Sequence, residues 1–257
     1  MAKRKDKYMN NNDSLPIQVF IDYTPEQLVE LDKCQNDIFY FAEKYFHIVN
    51  LDKGKMPIEL YPAQRDAIQA VLDNKMTIIC ASRQVGKSTL MTIICLWYAL
   101  FNENYQIAIL ANKEEQAKEI LDRIKLGYEE IPVWLKSGVP TYTNENIVFG
   151  NRSKIFIQAT SESGIRGKSV NLLFVDEFAH LQSQIIDPFV KSIMPTISSS
   201  KSAKIVLVST PKGAQGKFYE YWEGAQREGR DDWNQWKAVK IHYSDVPGRD
   251  EKWIAES

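Results

Sequence analysis

Residues 81–89 read Ala-Ser-Arg-Gln-Val-Gly-Lys-Ser-Thr, and no other stretch restricts the fold as much. The segment follows a short β-branched apolar run, MTIICA (76–81), and runs into a long apolar helical stretch, TLMTIICLWYALF (89–101). A glycine, a lysine and a hydroxyl residue between a strand and a helix form a phosphate cradle. Gly86 lets the backbone approach the phosphates without a Cβ. Successive N–H groups and the helix N-terminus then hold the anionic oxygens. Lys87 is predicted to reach the β- and γ-phosphates, and the Ser88 hydroxyl to ligate Mg2+. Ser82, Arg83, Gln84, Val85 and Thr89 complete the predicted nucleotide-binding loop. The usual pattern is G-x-x-x-x-G-K-[ST], and its first glycine is replaced here by Ala81.

The rest of the chain alternates in the manner this loop requires. QIAILA (106–111), VNLLFVDE (170–177) and KIVLVST (204–210) are near-continuous apolar runs, as expected of strands covered on both faces. A helix is predicted from Glu114 to about Glu130, with Asn112 and Glu115 as its capping box. Residues 146–149 and 154–159 flank Gly150-Asn151 like a hairpin. Strands alternating with helices imply an α/β fold of the P-loop NTPase (RecA-like) kind, with a mostly parallel sheet and helices on both faces. Two helices are expected first, one over roughly 24–47 with Thr24-Pro25 at its start, and one from Pro62 to Asp73. FYEYWEGAQREG reads as an amphipathic helix and WKAVKIHY as one more strand. The expected division is an ATPase core over 61–213, with 1–60 and 214–257 pairing as a small lid-like subdomain.

The core strands supply the remaining chemistry. LLFVDE ends in Asp176 and Glu177, and neighbouring residues at a strand end point in different directions. Asp176 is assigned to the metal shell and Glu177 to activation of the attacking water. Ser209 and Thr210 end the next strand, where such sheets bind ligands. They read either as a polar strand terminus or as residues that sense the γ-phosphate and pass its loss to the loop behind. Ahead of the core lies Tyr61-Pro62-Ala63-Gln64-Arg65. A Gln amide pairs with adenine by donating and accepting at once, and Tyr61 suits stacking on the base. A surface Gln at a helix start is the alternative. Arg83 lies inside the loop, whereas Arg166 sits between Gly164 and Gly167. An arginine between glycines suits insertion toward a phosphate, in its own or a neighbouring subunit, with a plain surface role as the alternative.

Composition removes several other classes. Lys plus Arg number 32 and Asp plus Glu 33, so no whole-molecule basic footprint for nucleic acid exists. Cys34, Cys80 and Cys95 are far apart, and His47, His180 and His242 are isolated, so no zinc spacing is present. Three reduced core cysteines are expected. No apolar stretch is long enough to span a membrane. The start, MAKRKDKYMNNNDS, has no apolar h-region and reads as a solvated tail.

Together these residues resemble the ATPase domain of the large terminase subunit of tailed bacteriophages, over about 57–213. SRQVGKST resembles that family's Walker A loop, which lacks the first glycine and contains an arginine. LLFVDE resembles its Walker B strand with the catalytic glutamate, and VSTP its coupling motif. Gln64 stands where the family's adenine motif lies, although Ala63 replaces the aromatic of some members. Arg166 in GIRG resembles the arginine proposed to act in trans. The resemblance implies ATP as substrate, Mg2+ as cofactor, and a homo-oligomeric ring on the portal protein that drives double-stranded DNA into a procapsid. It also implies a small terminase subunit as partner, the host cytoplasm as location and no membrane. Such subunits commonly carry a C-terminal nuclease domain. No acid-bearing strands for one are visible, so the chain is expected to be the motor half of a longer protein. A superfamily-2-like helicase and a non-catalytic portal-docking module are the competing functions.

Overall fold

A computed structural model describes residue 9 and residues 12–19, 21–50, 54–159, 169–200 and 202–249. The polar start and the GIRG stretch with Arg166 lie largely or wholly outside the described residues. The helices are α1 (Pro25–Asn36), α2 (Ile38–Tyr45), α3 (Pro62–Asp73), α4 (Lys87–Phe101), α5 (Glu114–Glu130), α6 (Ser183–Ser199) and α7 (Gly216–Ala225). A two-stranded sheet pairs β1 (His47–Asn50) with β2 (Gly54–Pro57). The main sheet contains β3 (Met76–Ala81), β4 (Gln106–Ala111), β5 (Thr141–Tyr142), β6 (Asn146–Val148), β7 (Lys154–Ala159), β8 (Leu172–Val175), β9 (Lys204–Ser209) and β10 (Lys237–Ile241). Its order is β10-β3-β9-β8-β4-β7-β6-β5. The α/β architecture with a mostly parallel sheet agrees with the sequence reading. No helix among the described residues is long and apolar enough to cross a membrane.

The contacts divide the chain into two compact units. The first contains 1–60, 91–107 and 118–157. There Thr24 caps α1 through a reciprocal pair with Gln27, and Pro25 occupies the first turn. The sequence suggested one helix through residue 47, but the helix breaks at Asp37. Its backbone is extended, with φ −137°, and its carboxylate accepts from the N–H groups of Phe39 and Tyr40 at 2.8 and 3.1 Å. A short acid able to cap a new helix outcompetes continuation of the old one. The β6–β7 turn also departs in detail from the Gly150-Asn151 pattern. The left-handed residue is Arg152, at φ 65°, and Gly150 is required because a Cβ there would collide with the Ser137 carbonyl.

The second unit contains 61–90, 108–117 and 158–257. In it β10, β3, β9 and β8 are consecutive neighbours, all parallel. Ile78, Ile79 and Ala81 of β3 and Val206, Leu207 and Val208 of β9 are buried. Because the strands are parallel and in register, their C-terminal ends share one edge, where ligands of such sheets bind. The sequence reading placed 214–257 with 1–60 in a peripheral subdomain. Instead, Lys237 to Ile241 pair with Thr77 to Ala81 as an edge strand of the main sheet. An edge strand buried on one side carries a weak apolar signal, and nothing local in KAVKI names β3 as its neighbour.

Candidate active site

The phosphate loop is shaped by its backbone. Gln84 and Gly86 both have positive φ, at 58° and 78°, so the chain turns sharply twice within three residues. The Ser82 N–H donates to the Ile241 carbonyl at 2.9 Å, which fastens the loop's start to the end of β10. Its middle is fastened from below. The Val85 side chain is buried, and its carbonyl accepts from the Tyr61 phenol at 2.6 Å and from the Gln64 amide nitrogen at 3.4 Å. Gly86 suits this turn because its φ of 78° lies in the left-handed region, and a Cβ there would also displace the end of the Gln64 side chain. Lys87 and Ser88 then open α4, whose first N–H groups lack intrahelical partners, as in any helix. Arg83 and Gln84 are exposed, and Ser82, Ser88 and Thr89 are half-buried.

The acidic pair follows β8. The Asp176 N–H donates to the Leu110 carbonyl at 2.8 Å, which continues the strand by one residue. Glu177 then enters the left-handed region, at φ 48° and ψ 41°. For a non-glycine residue this conformation is strained, and such strain concentrates at functional sites. The turn brings its carboxylate to the phosphate loop. Lys87 Nζ donates to Glu177 Oε1 at 2.8 Å, with the two side chains 12% and 24% exposed. The other oxygen, Oε2, accepts from the Thr210 N–H at 3.3 Å and the Thr210 hydroxyl at 3.1 Å. The Ser209 hydroxyl, 3.3 Å away, shares its one proton between Oε2 and the nearer Thr210 carbonyl at 2.9 Å. Burial pushes the Glu177 carboxyl up, but the Lys87 ammonium and the Thr210 donors outweigh it and hold the group below its usual value.

Asp176 is in the opposite position. Burial, with the adjacent Glu177 charge, pushes its carboxyl up to about 6, and Lys87 offsets only part of this. Its Oδ1 is buried with no hydrogen-bond partner among the described residues. A buried carboxylate oxygen without a donor is costly, and a divalent cation would satisfy it. The residues therefore fit Mg2+. A protonated Asp176 stabilises the fold at pH below about 4, and that contribution is lost as pH rises through about 6. Asp176→Asn removes the buried charge. It is expected to raise the melting temperature of nucleotide-free protein at about pH 8 and to raise it much less at about pH 4.5. Thermal melts at both values check this, and equal shifts at the two would exclude charge burial as the cause.

A cavity of about 510 Å3 opens beside the loop, lined by Ser82, Arg83, Gln84, His180, Thr210, Pro211, Tyr243 and Arg249. Arg249 donates to the Gln84 carbonyl at 2.9 Å. Thus Tyr61, Gln64, the 82–89 loop, Asp176, Glu177, Ser209 and Thr210, all singled out in the sequence, lie around this edge of the sheet. Gln64 is a buried brace rather than a surface residue, being 5% exposed. Arg65 occupies the first turn of α3. Arg166 lies outside the described residues. Sequence reasoning missed His180, Tyr243 and Arg249. His180 stands three residues past Glu177 and could have been found from that spacing. Tyr243 and Arg249 reach the cavity only because β10 runs beside β3, which leaves no local signal.

Comparison with known proteins places this geometry in a family. The tripartite terminase subunit 3 of equine herpesvirus 2 (strain 86/87) is 28% identical over 162 residues, covering 59% of this chain and 22% of the relative. The large terminase of bacteriophage HK97 superposes with a TM-score of 0.65 at 20% identity, over 84% of this chain and 45% of that one. The large terminase ATPase domain of a Thermus phage superposes with a TM-score of 0.59 at 19% identity, over 77% and 87%. The large terminase of a thermophilic bacteriophage in complex with ADP does so with a TM-score of 0.58 at 13% identity, over 77% and 49%. The chain thus spans less than half the length of the herpesvirus and HK97 proteins. The family model described as terminase large subunit, T4likevirus-type, N-terminal, matches residues 78–248, well over half of the sequence, and the chain belongs to that family.

Proposed function

We propose that this chain hydrolyses ATP with Mg2+ and is the motor part of a DNA-packaging terminase. In that role, copies ringed on a portal protein, with a small terminase subunit, translocate double-stranded DNA in the host cytoplasm. One observation carries the reading: Glu177 bridges the phosphate-loop lysine and the Ser209-Thr210 strand end. An arriving triphosphate competes for Lys87 and so releases Oε1 of Glu177, while Thr210 keeps hold of Oε2. The freed carboxylate oxygen accepts a proton from the attacking water, a contribution worth about 10²–10⁴-fold in rate. Ser88 and Asp176 would hold Mg2+, which supplies charge neutralisation between the β- and γ-phosphates when bound. Arg83, exposed in the loop, acts in its own site, and Arg166 acts on a neighbouring one. Tyr61 and Gln64 brace the loop through the Val85 carbonyl, and with Arg65 they mark the adenine end of the site. Loss of the γ-phosphate returns Glu177 to Lys87, and Ser209 and Thr210 pass that change to the following loop.

The test is turnover by the chain with Mg2+ and ATP, with and without duplex DNA and portal. Magnesium-dependent turnover stimulated by duplex DNA, without strand separation, is expected. No turnover under any of these conditions would sink the reading, and strand separation would point to a helicase.

A further inference from the structure

His180 ends the 3-10 helix Phe178–His180, and the hydrolytic roles above do not use it. We propose that His180 is a positioning residue that holds the Thr210 hydroxyl in place against Glu177, from its seat across the strand end. The contacts support it. The Thr210 hydroxyl has one proton and lies 3.1 Å from Glu177 Oε2, an oxygen that can only accept. With the proton directed there, the Thr210 oxygen is left to accept. The 2.9 Å contact between His180 Nε2 and Thr210 Oγ1 is then filled by a proton on Nε2, the tautomer this proposal assigns. That same Nε2 lies 3.5 Å from Glu177 Oε2, too long for a good hydrogen bond, so its directional contact is with Thr210.

A second rung runs beside the first. The Ala179 N–H donates to the Ser209 hydroxyl at 3.2 Å. Two successive residues of the acidic turn are thus tied to two successive residues of the β9 end. The turn itself is anchored by Phe178, which is fully buried against Phe218 and Tyr221 of α7 at centroid distances of 6.5 and 6.3 Å. The imidazole is therefore held by a fixed backbone, whereas without it the Thr210 hydroxyl would keep only its contact with Glu177. Removing the imidazole leaves every phosphate-loop contact intact and loosens only the second oxygen of Glu177. Its effect belongs on the chemical step and not on nucleotide binding.

This inference rests on the ATPase reading, and its test is arranged so that the two fail separately. His180→Phe keeps a ring and loses the donor, and His180→Gln restores an N–H donor. His180→Phe is expected to lower kcat about tenfold, with KM and the affinity for a fluorescent ATP analogue within about twofold of the starting protein. His180→Gln is expected to recover most of that loss. Thr210→Val should produce a loss of its own, and adding His180→Phe to it should cost little more, because the two act through one contact. Unchanged kcat in a folded His180→Phe protein would overturn the proposal. So would fully additive losses, or a loss confined to nucleotide affinity, which would make His180 a ligand contact. If His180→Phe does not fold, His180→Leu, alone and combined with Thr210→Val, decides between coupling and independence, and additive losses overturn the proposal. The starting protein also has an activity-free readout. Its His180 ring should show a protonated Nε2 by nitrogen NMR, with a resonance that shifts in Thr210→Val. A protonated Nδ1 with bare Nε2 would overturn the assignment even in a chain that turned over ATP normally, and absent turnover would count against the ATPase reading alone.

Discussion

Lys87→Ala is expected to abolish most ATP turnover, by about 10²–10³-fold, and to weaken triphosphate binding. The size follows from what a preorganised cation does at a transferring phosphoryl group. The Lys87 side chain is mostly buried and is the loop cation held against Glu177. Its removal also leaves Glu177 without its ammonium partner. The carboxyl, now held below its usual value chiefly by that partner against burial, is expected to move up. Steady-state turnover and binding of a fluorescent triphosphate, measured on the same preparation, check both parts. Near-normal turnover would remove Lys87 from the mechanism and with it the Walker A assignment.

Glu177→Gln is expected to separate binding from chemistry. Its kcat should fall about 10²-fold or more, because an amide cannot take the proton of the attacking water. Its affinity for ATP should stay equal or rise. In the present structure the triphosphate must first displace a carboxylate that lies 2.8 Å from Lys87, and glutamine removes the charge from that competitor. The Thr210 donors have an oxygen to bond in either case. A Gln variant that binds ATP far more weakly than the parent would show that the ion pair supports the site instead of competing with the ligand. Comparing Lys87→Ala with Glu177→Gln is informative for the same reason. The first should lose both binding and rate, the second rate alone.

Much of this site could be read without coordinates. The run 76–81 is a strand, Pro62 to Asp73 is a helix, and the 106–111 and 204–209 strands fall within the apolar stretches that suggested them. Apolar periodicity, a β-branched run and a glycine before a lysine are local properties, and each reports on its own few residues. The same holds for Thr24 and Gln27, whose capping pair is written within four residues. The break at Asp37 was equally local and would have been found by treating the acid as a cap.

By itself, then, the sequence determined the core strands and helices around the phosphate loop, where that loop lies, and that Asp176 and Glu177 close a buried strand, but not the break at Asp37 or the short strands His47–Asn50, Gly54–Pro57 and Thr141–Tyr142. The tertiary structure alone decided how these elements meet. It placed β10 beside β3, so that Tyr243 and Arg249 face the phosphate loop. It turned Gln64 inward beneath Val85, where its amide braces the loop. It paired Lys87 with Glu177 across 90 residues of chain, and set His180 on Thr210 across 30. The reason is that strand order and register are fixed by which apolar surfaces meet when the sheet assembles. That choice is made by long-range burial, and neither the period of any one segment nor the spacing of any one motif records it.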